Sequence, residues 1–210
     1  MLHFDKVRKS YGSFLALDIP DFTINGGLTW LKGENGSGKT TLLKMIAGLH
    51  PFKGEITLHD QYSLRKNRRQ FLQLVSYAEA EPLYPSFLTA DDLINFYCHT
   101  KNCEKTPVYQ LLERLHLKDD YQKPLGAYSS GMMKKLSLAL AFTGSPRLIL
   151  LDEPLITIDS DAITIICDLI QSAMKKDVSF IITSHQAVAN NQLPFSQVLT
   201  VNDRTILHTN

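Results

Sequence analysis

Gly33-Glu34-Asn35-Gly36-Ser37-Gly38-Lys39-Thr40 is the stretch on which the fold turns. It meets G-x-x-x-x-G-K-[ST] without a break, after the apolar run Leu28-Thr29-Trp30-Leu31 and before a helical pattern from Lys39 to Ala47. A strand before and a helix after give the pattern a mechanism. Glycines let successive backbone N–H groups face one concavity, and the following helix aims its N-terminus at the same point, so the loop suits a triphosphate. The expected contacts are Asn35, Gly36, Ser37, Gly38, Lys39, Thr40 and Thr41. Lys39 would reach the β- and γ-phosphates, and the Thr40 hydroxyl would ligate Mg²⁺.

Downstream, Leu148-Ile149-Leu150-Leu151-Asp152-Glu153-Pro154 supplies the complementary half. Four apolar residues predict a strand buried on both faces, and Asp152 at its end is placed to hold Mg²⁺ through water. Glu153 stands where a general base could take a proton from an attacking water.

Outward from these two motifs, strands are expected at Leu2 to Val7, Phe14 to Ile19, Gly54 to Leu58, Leu72 to Tyr77, Phe180 to Thr183 and Val198 to Val201. The pair Tyr11-Gly12 reads as a hairpin turn. Thr89-Ala90-Asp91-Asp92 is a capping box opening a helix through Tyr97; further helices are expected from Pro107 to Leu117 and from near Gly131 to Phe142. Strands alternating with helices around a purely helical insert give an α/β domain with a helical lobe.

Composition narrows the function. The 210 residues are 44% hydrophobic, enough for one filled core. A net charge of +1 gives no support to a nucleic-acid-coating role. The basic run Arg65-Lys66-Asn67-Arg68-Arg69 reads as a solvated loop or helix start. No apolar run approaches the roughly 18 residues of a membrane span, and the start lacks a signal-peptide pattern, so a cytosolic protein reaching membranes through a partner is expected. Cys98, Cys103 and Cys167 fit no zinc spacing and read as reduced thiols.

The segment Tyr128-Ser129-Ser130-Gly131-Met132-Met133-Lys134-Lys135-Leu136 is the most specific of all. With it, the chain resembles the ATP-binding subunits of ABC transporters over essentially its whole length. The resemblance implies a P-loop NTPase (RecA-like) core with an N-terminal antiparallel β subdomain and an inserted helical subdomain. Residues 1–79 and 145–210 would form the core, and about 80–144 the helical part of a single domain over 1–210. It also implies ATP and Mg²⁺ as cofactors, a second nucleotide-binding subunit, and a separate transmembrane permease at the cytoplasmic face. Ser129, Ser130 and Gly131 would press on ATP held by the other subunit. Tyr11 would stack on adenine, Asp159 would couple the two sites, and His185 would contact the γ-phosphate.

Some positions depart from the family pattern. Ala80, flanked by Glu79 and Glu81, stands where a glutamine is usual; either glutamate could substitute as a ligand, or coupling is altered. Ser130 replaces a glycine, Met132 a glutamine, and Leu155 to Ile158 is unusually apolar. The Y-S-x-G-M form resembles the branch serving exporters with separate membrane subunits, and other stretches resemble the ATPase of haem export. The apolar segment Leu83, Tyr84, Pro85, Phe87 and Leu88 is either filler between lobes or a patch for a partner helix. A clamp with little turnover is the alternative to an active ATPase. Soluble ABC ATPases would need a coiled-coil insert or a second cassette, and small P-loop kinases lack the signature segment.

Overall fold

The computed structural model describes residues 1–184 and 193–209, and two sheets organise them. The first is antiparallel: β1 (Leu2–Tyr11) and β2 (Phe14–Ile24) form a hairpin, extended by β4 (Lys53–Leu58) and β5 (Tyr62–Ser63) in the order β2-β1-β4-β5. The second contains β3 (Leu28–Lys32), β6 (Val75–Ala78), β7 (Leu148–Asp152), β8 (Ser179–Thr183), β9 (Gln197–Asn202) and β10 (Thr205–His208). Its order is β10-β9-β3-β8-β7-β6, parallel except for β10 against β9. This is the P-loop NTPase fold with an added antiparallel sheet.

Burial along β7 explains why its sequence is apolar without alternation. Leu148 and Leu150 pack into one core, with Leu42, Leu43 and Ile46 of α1 (Lys39–Ile46) and Phe4 of β1. Ile149 and Leu151 pack into the other, with Leu136 of α5 (Ser130–Ala141) and Ile166 of α6 (Ser160–Met174). Each such side chain contributes about 1.5–3 kcal/mol, so a strand with both faces covered gains from apolar residues at successive positions.

Between β6 and β7 the chain is helical: α3 (Ala90–Lys101), α4 (Thr106–Arg114), then α5. The Thr89 capping box forms, with Asp92 N–H donating to Thr89 Oγ1 at 3.1 Å and Thr89 N–H to Asp92 Oδ2 at 2.9 Å. One expectation needs correcting. Leu72 to Leu74 do not begin a strand but close α2 (Arg68–Leu74), and β6 starts only at Val75. Gln70 to Leu74 places Phe71 in the core with Leu72 and Leu74 against it, a helical spacing that an apolar count alone misread as extended. Helix α6 and the closing strand β10 had no distinct motif in the sequence.

The register sets up the site. Leu31 pairs with Thr183, Asp152 with Thr183, and Ala78 with Leu151. The chain therefore leaves β3, β8, β7 and β6 along one carboxyl edge, where open α/β sheets bind ligands.

Candidate functional site

At that edge the loop after β3 bends through Gly33 (φ 149°), Gly36 (φ 80°) and Gly38 (φ 109°). A Cβ on Gly33 would lie 2.5 Å from Ser37 Oγ and 2.7 Å from the Val201 carbonyl, so only glycine fits. Gly38 caps α1 in the left-handed region with no side-chain hydrogen bond, and the first turn of α1 holds no acidic residue. The first N–H groups of the helix are thus left to an external anion, with no negative charge competing. Ser37 Oγ is buried against Gly33 with no hydrogen-bond partner among the described residues, and Ser37 is not among the residues that line the cleft. The Lys39 ammonium bonds back over its own loop, to Gly33 O at 2.7 Å and Glu34 O at 3.0 Å. Burial lowers its pKa, while Glu153 and Asp152 pull it back up.

Asp152 is 1% exposed, and both its carboxylate oxygens accept hydrogen bonds. Thr183 Oγ1 donates to Oδ1 at 2.6 Å and Tyr77 OH to Oδ2 at 3.3 Å. Thr183 Oγ1 in turn accepts from the Glu153 N–H at 2.9 Å. The strand-end neighbours therefore fix the aspartate before any ligand is considered. Glu153 adopts a left-handed backbone (φ 46°), costing roughly 1–2 kcal/mol for a non-glycine residue. Such a turn redirects the side chain out of the strand, and outliers of this kind concentrate at reactive sites. Asn35, Gly36, Gly38, Lys39, Thr40, Thr41, Asp152 and Glu153 line one open cleft.

Ser129, Ser130 and Gly131 are not among the residues lining that cleft. Ser129 is the N-cap of α5, its Oγ accepting from Met132 N–H at 3.2 Å, and Ser130 and Gly131 open the helix. A Cβ on Gly131 would stand 2.7 Å from the Thr157 carbonyl, so the helix start is packed on the turn after β7. Further along α5, Lys135 pairs with Asp159 at 2.5 Å. Asp159 also caps α6, accepting from Ala162 N–H at 2.9 Å. The Lys135 bond and this cap depress the Asp159 carboxyl to about 2. Its folded value lies below the unfolded one, so the stabilisation is full above about pH 4 and fades as pH falls toward 2. Asp159→Ala is expected to cost about 1 kcal/mol at pH 7, chiefly the cap since the pair is half exposed. Urea denaturation of both proteins should show that gap narrowing below pH 4.

The profile of the ABC transporter family matches residues 17–156, more than half of the chain. The chain belongs to the ABC transporter family. Among its relatives is the cytochrome c biogenesis ATP-binding export protein CcmA of Legionella pneumophila (strain Lens), 33% identical over 175 residues, covering 82% of this chain and 86% of that one. Nod factor export ATP-binding protein I of Burkholderia orbicola is 31% identical over 191 residues, 88% of this chain but only 62% of that protein. A dimeric ATP-binding cassette bound to ADP and phosphate superposes with a TM-score of 0.82, covering 98% of this chain and 96% of that one at 18% identity, which speaks to the fold. As a member of this family the chain is an ATPase, the ATP-binding subunit of a transporter.

Other expected ABC residues sit as follows. Tyr11 ends β1 at the hairpin, 46% exposed; its OH bonds His50 Nδ1 at 2.9 Å, and the Lys9 ammonium lies 4.4 Å from its ring centre. His185 lies outside the described residues. Among the residues near the substituted glutamine, the Glu79 carboxylate is turned to Lys44 of α1 at 3.0 Å, while Glu81 is exposed. Thr183, Tyr77 and Lys134 escaped the sequence reading, because only the sheet register and helix packing bring them to Asp152. No group of three or more His, Cys, Asp or Glu among the described residues could cage a metal. A Mg²⁺ ion is nonetheless compatible with the hydroxyl and carboxylate oxygens of Thr40 and Asp152, since Mg²⁺ at nucleotide sites takes few protein ligands and several from phosphate and water.

Proposed function

We propose that this ABC ATPase drives export through a separate membrane subunit, two copies or homologues closing on two ATP molecules. The observation that carries this reading is the separation of Ser129, Ser130 and Gly131 from the cleft of their own chain. A cleft with a lysine, a metal-side carboxylate and a base, but no contact to the signature residues, is half of a site. In this reading Lys39 and the loop from Asn35 to Thr41 bind the triphosphate, and Tyr11 supports adenine. Thr40 and Asp152 hold Mg²⁺, which would neutralise charge on the transferring phosphate. Glu153 accepts the proton of the attacking water, His185 contacts the γ-phosphate, and Asp159 lies at the junction of the two halves. The export direction and the dimer are supported by the relatives' names and by the dimeric cassette of the same fold.

Glu153→Gln loaded with Mg-ATP should elute as a dimer in size-exclusion chromatography, and without nucleotide as a monomer. A monomer at high concentration with ATP bound would overturn closure between copies.

For the membrane subunit, the apolar segment after β6 divides cleanly. Tyr84 packs on the helical core and bonds with Tyr97 and Ser137, whereas Leu83 is 91% and Phe87 78% exposed. The dock is therefore assigned to Leu83 and Phe87, with Tyr84 as filler beneath. Leu83→Ala and Phe87→Ala together should leave soluble ATPase activity unchanged and abolish co-purification with the membrane subunit. Retained co-purification would remove this surface from the assembly.

A further inference from the structure

Lys134 of α5 is 1% exposed; among the described residues no carboxylate stands within ion-pair distance of it, although Asp152, Glu153, Glu79 and Glu81 are near enough to favour its charge. Its ammonium donates to Glu79 O at 2.7 Å, Ala80 O at 3.1 Å and Asp152 O at 2.7 Å, which uses all of an ammonium's donors on backbone carbonyls. Burying a charge this deeply is costly unless hydrogen bonds replace its water, and these three do so.

The three carbonyls come from two strands that have just parted. β6 and β7 pair through Ala78 and Leu151; past that rung Glu79 turns away from the sheet, and Glu153 bends into the left-handed region. The carbonyl of Asp152 would otherwise be a buried polar group, and those of Glu79 and Ala80 partly buried ones, beyond the end of the ladder. Lys134 closes that gap from a third element, α5. One of the carbonyls is Asp152's own, directly before Glu153, and Glu79 links through its carboxylate to Lys44 of α1. We propose that Lys134 is a positioning residue for hydrolysis: its ammonium fixes the end of β7, and with it Asp152 and Glu153, against the turn leaving β6. Movement of α5 is thereby passed to both.

This rests on the assignment of hydrolysis to the cleft at Lys39, Asp152 and Glu153. The test is steady-state Mg-ATP hydrolysis by the purified chain and by Lys134→Met and Lys134→Gln, with thermal melts alongside. Lys134→Met should lower kcat by about tenfold or more, the loss expected for charge-assisted hydrogen bonds, with KM changed by less than about twofold. Lys134→Gln, whose amide can donate two of the three bonds, should recover part of that loss. A native kcat in a folded Lys134→Met variant overturns the proposal. So does a glutamine variant no better than the methionine one, or loss of the folded state in both, which would make the lysine scaffolding only. Glu153→Gln measured in parallel separates the two ideas: a native rate there sinks the site assignment, whatever the Lys134 variants do.

Discussion

Glu153→Gln is expected to bind ATP as the native chain does while turnover falls by about 100-fold or more, the usual contribution of a general base. The substitution keeps the shape and a hydrogen-bonding side chain, so the left-handed backbone at Glu153 and its N–H bond to Thr183 are untouched. What disappears is the capacity to accept a proton. Nucleotide titration followed by phosphate release checks both halves of the expectation, and undiminished release would take Glu153 out of the mechanism. The same variant is the one for the assembly experiment, because ATP should persist in it.

Lys39→Ala is the second large effect, and it falls on binding. The side chain contributes a positive charge to a cleft otherwise lined by backbone dipoles, the uncharged Asn35, Thr40 and Thr41, and the two carboxylates. It also ties Gly33 O and Glu34 O across the loop. Charge-assisted hydrogen bonds contribute about 1.5–3 kcal/mol each, so ATP affinity should fall by about 100-fold. Equilibrium binding of a fluorescent ATP analogue measures it. Affinity within about twofold of native would show that the loop N–H groups alone suffice. ADP should be less affected than ATP, since the β/γ region loses a contact.

The parts of the fold legible in the sequence were those whose physics is local. The phosphate loop needs glycine at positions of positive φ and a helix start, and both are written in consecutive residues. Thr89 and Asp92 form their capping box within one turn. The doubly buried strand at Leu148 to Asp152 declares itself by composition alone. What escaped depends on register between distant strands. Thr183 is an ordinary strand threonine until β8 lies beside β7, and Tyr77 is an ordinary tyrosine until β6 takes the next place. The misread start of β6 has a related cause: short apolar runs have no period, and only the packing of Phe71 shows that Leu72 to Leu74 complete a helical turn. Residues named only by family resemblance, such as Tyr11 and Asp159, carry no local chemical signal that sets them apart from a turn tyrosine or a helix cap.

The crowding of Gly131 on the Thr157 carbonyl restricts how α5 can travel. A helix advances about 1.5 Å per residue, so even a one-residue slide along its axis would exceed the slack in the 2.5 Å Lys135–Asp159 contact. A screw motion of one residue would bring a neighbouring side chain, about 100° away, toward that carbonyl, where even a single methyl does not fit. These two contacts tie the first turns of α5 to the turn after β7, so a shift of one along the other would break both. Insertions or deletions inside this helix should accordingly break the alignment of both contacts at once.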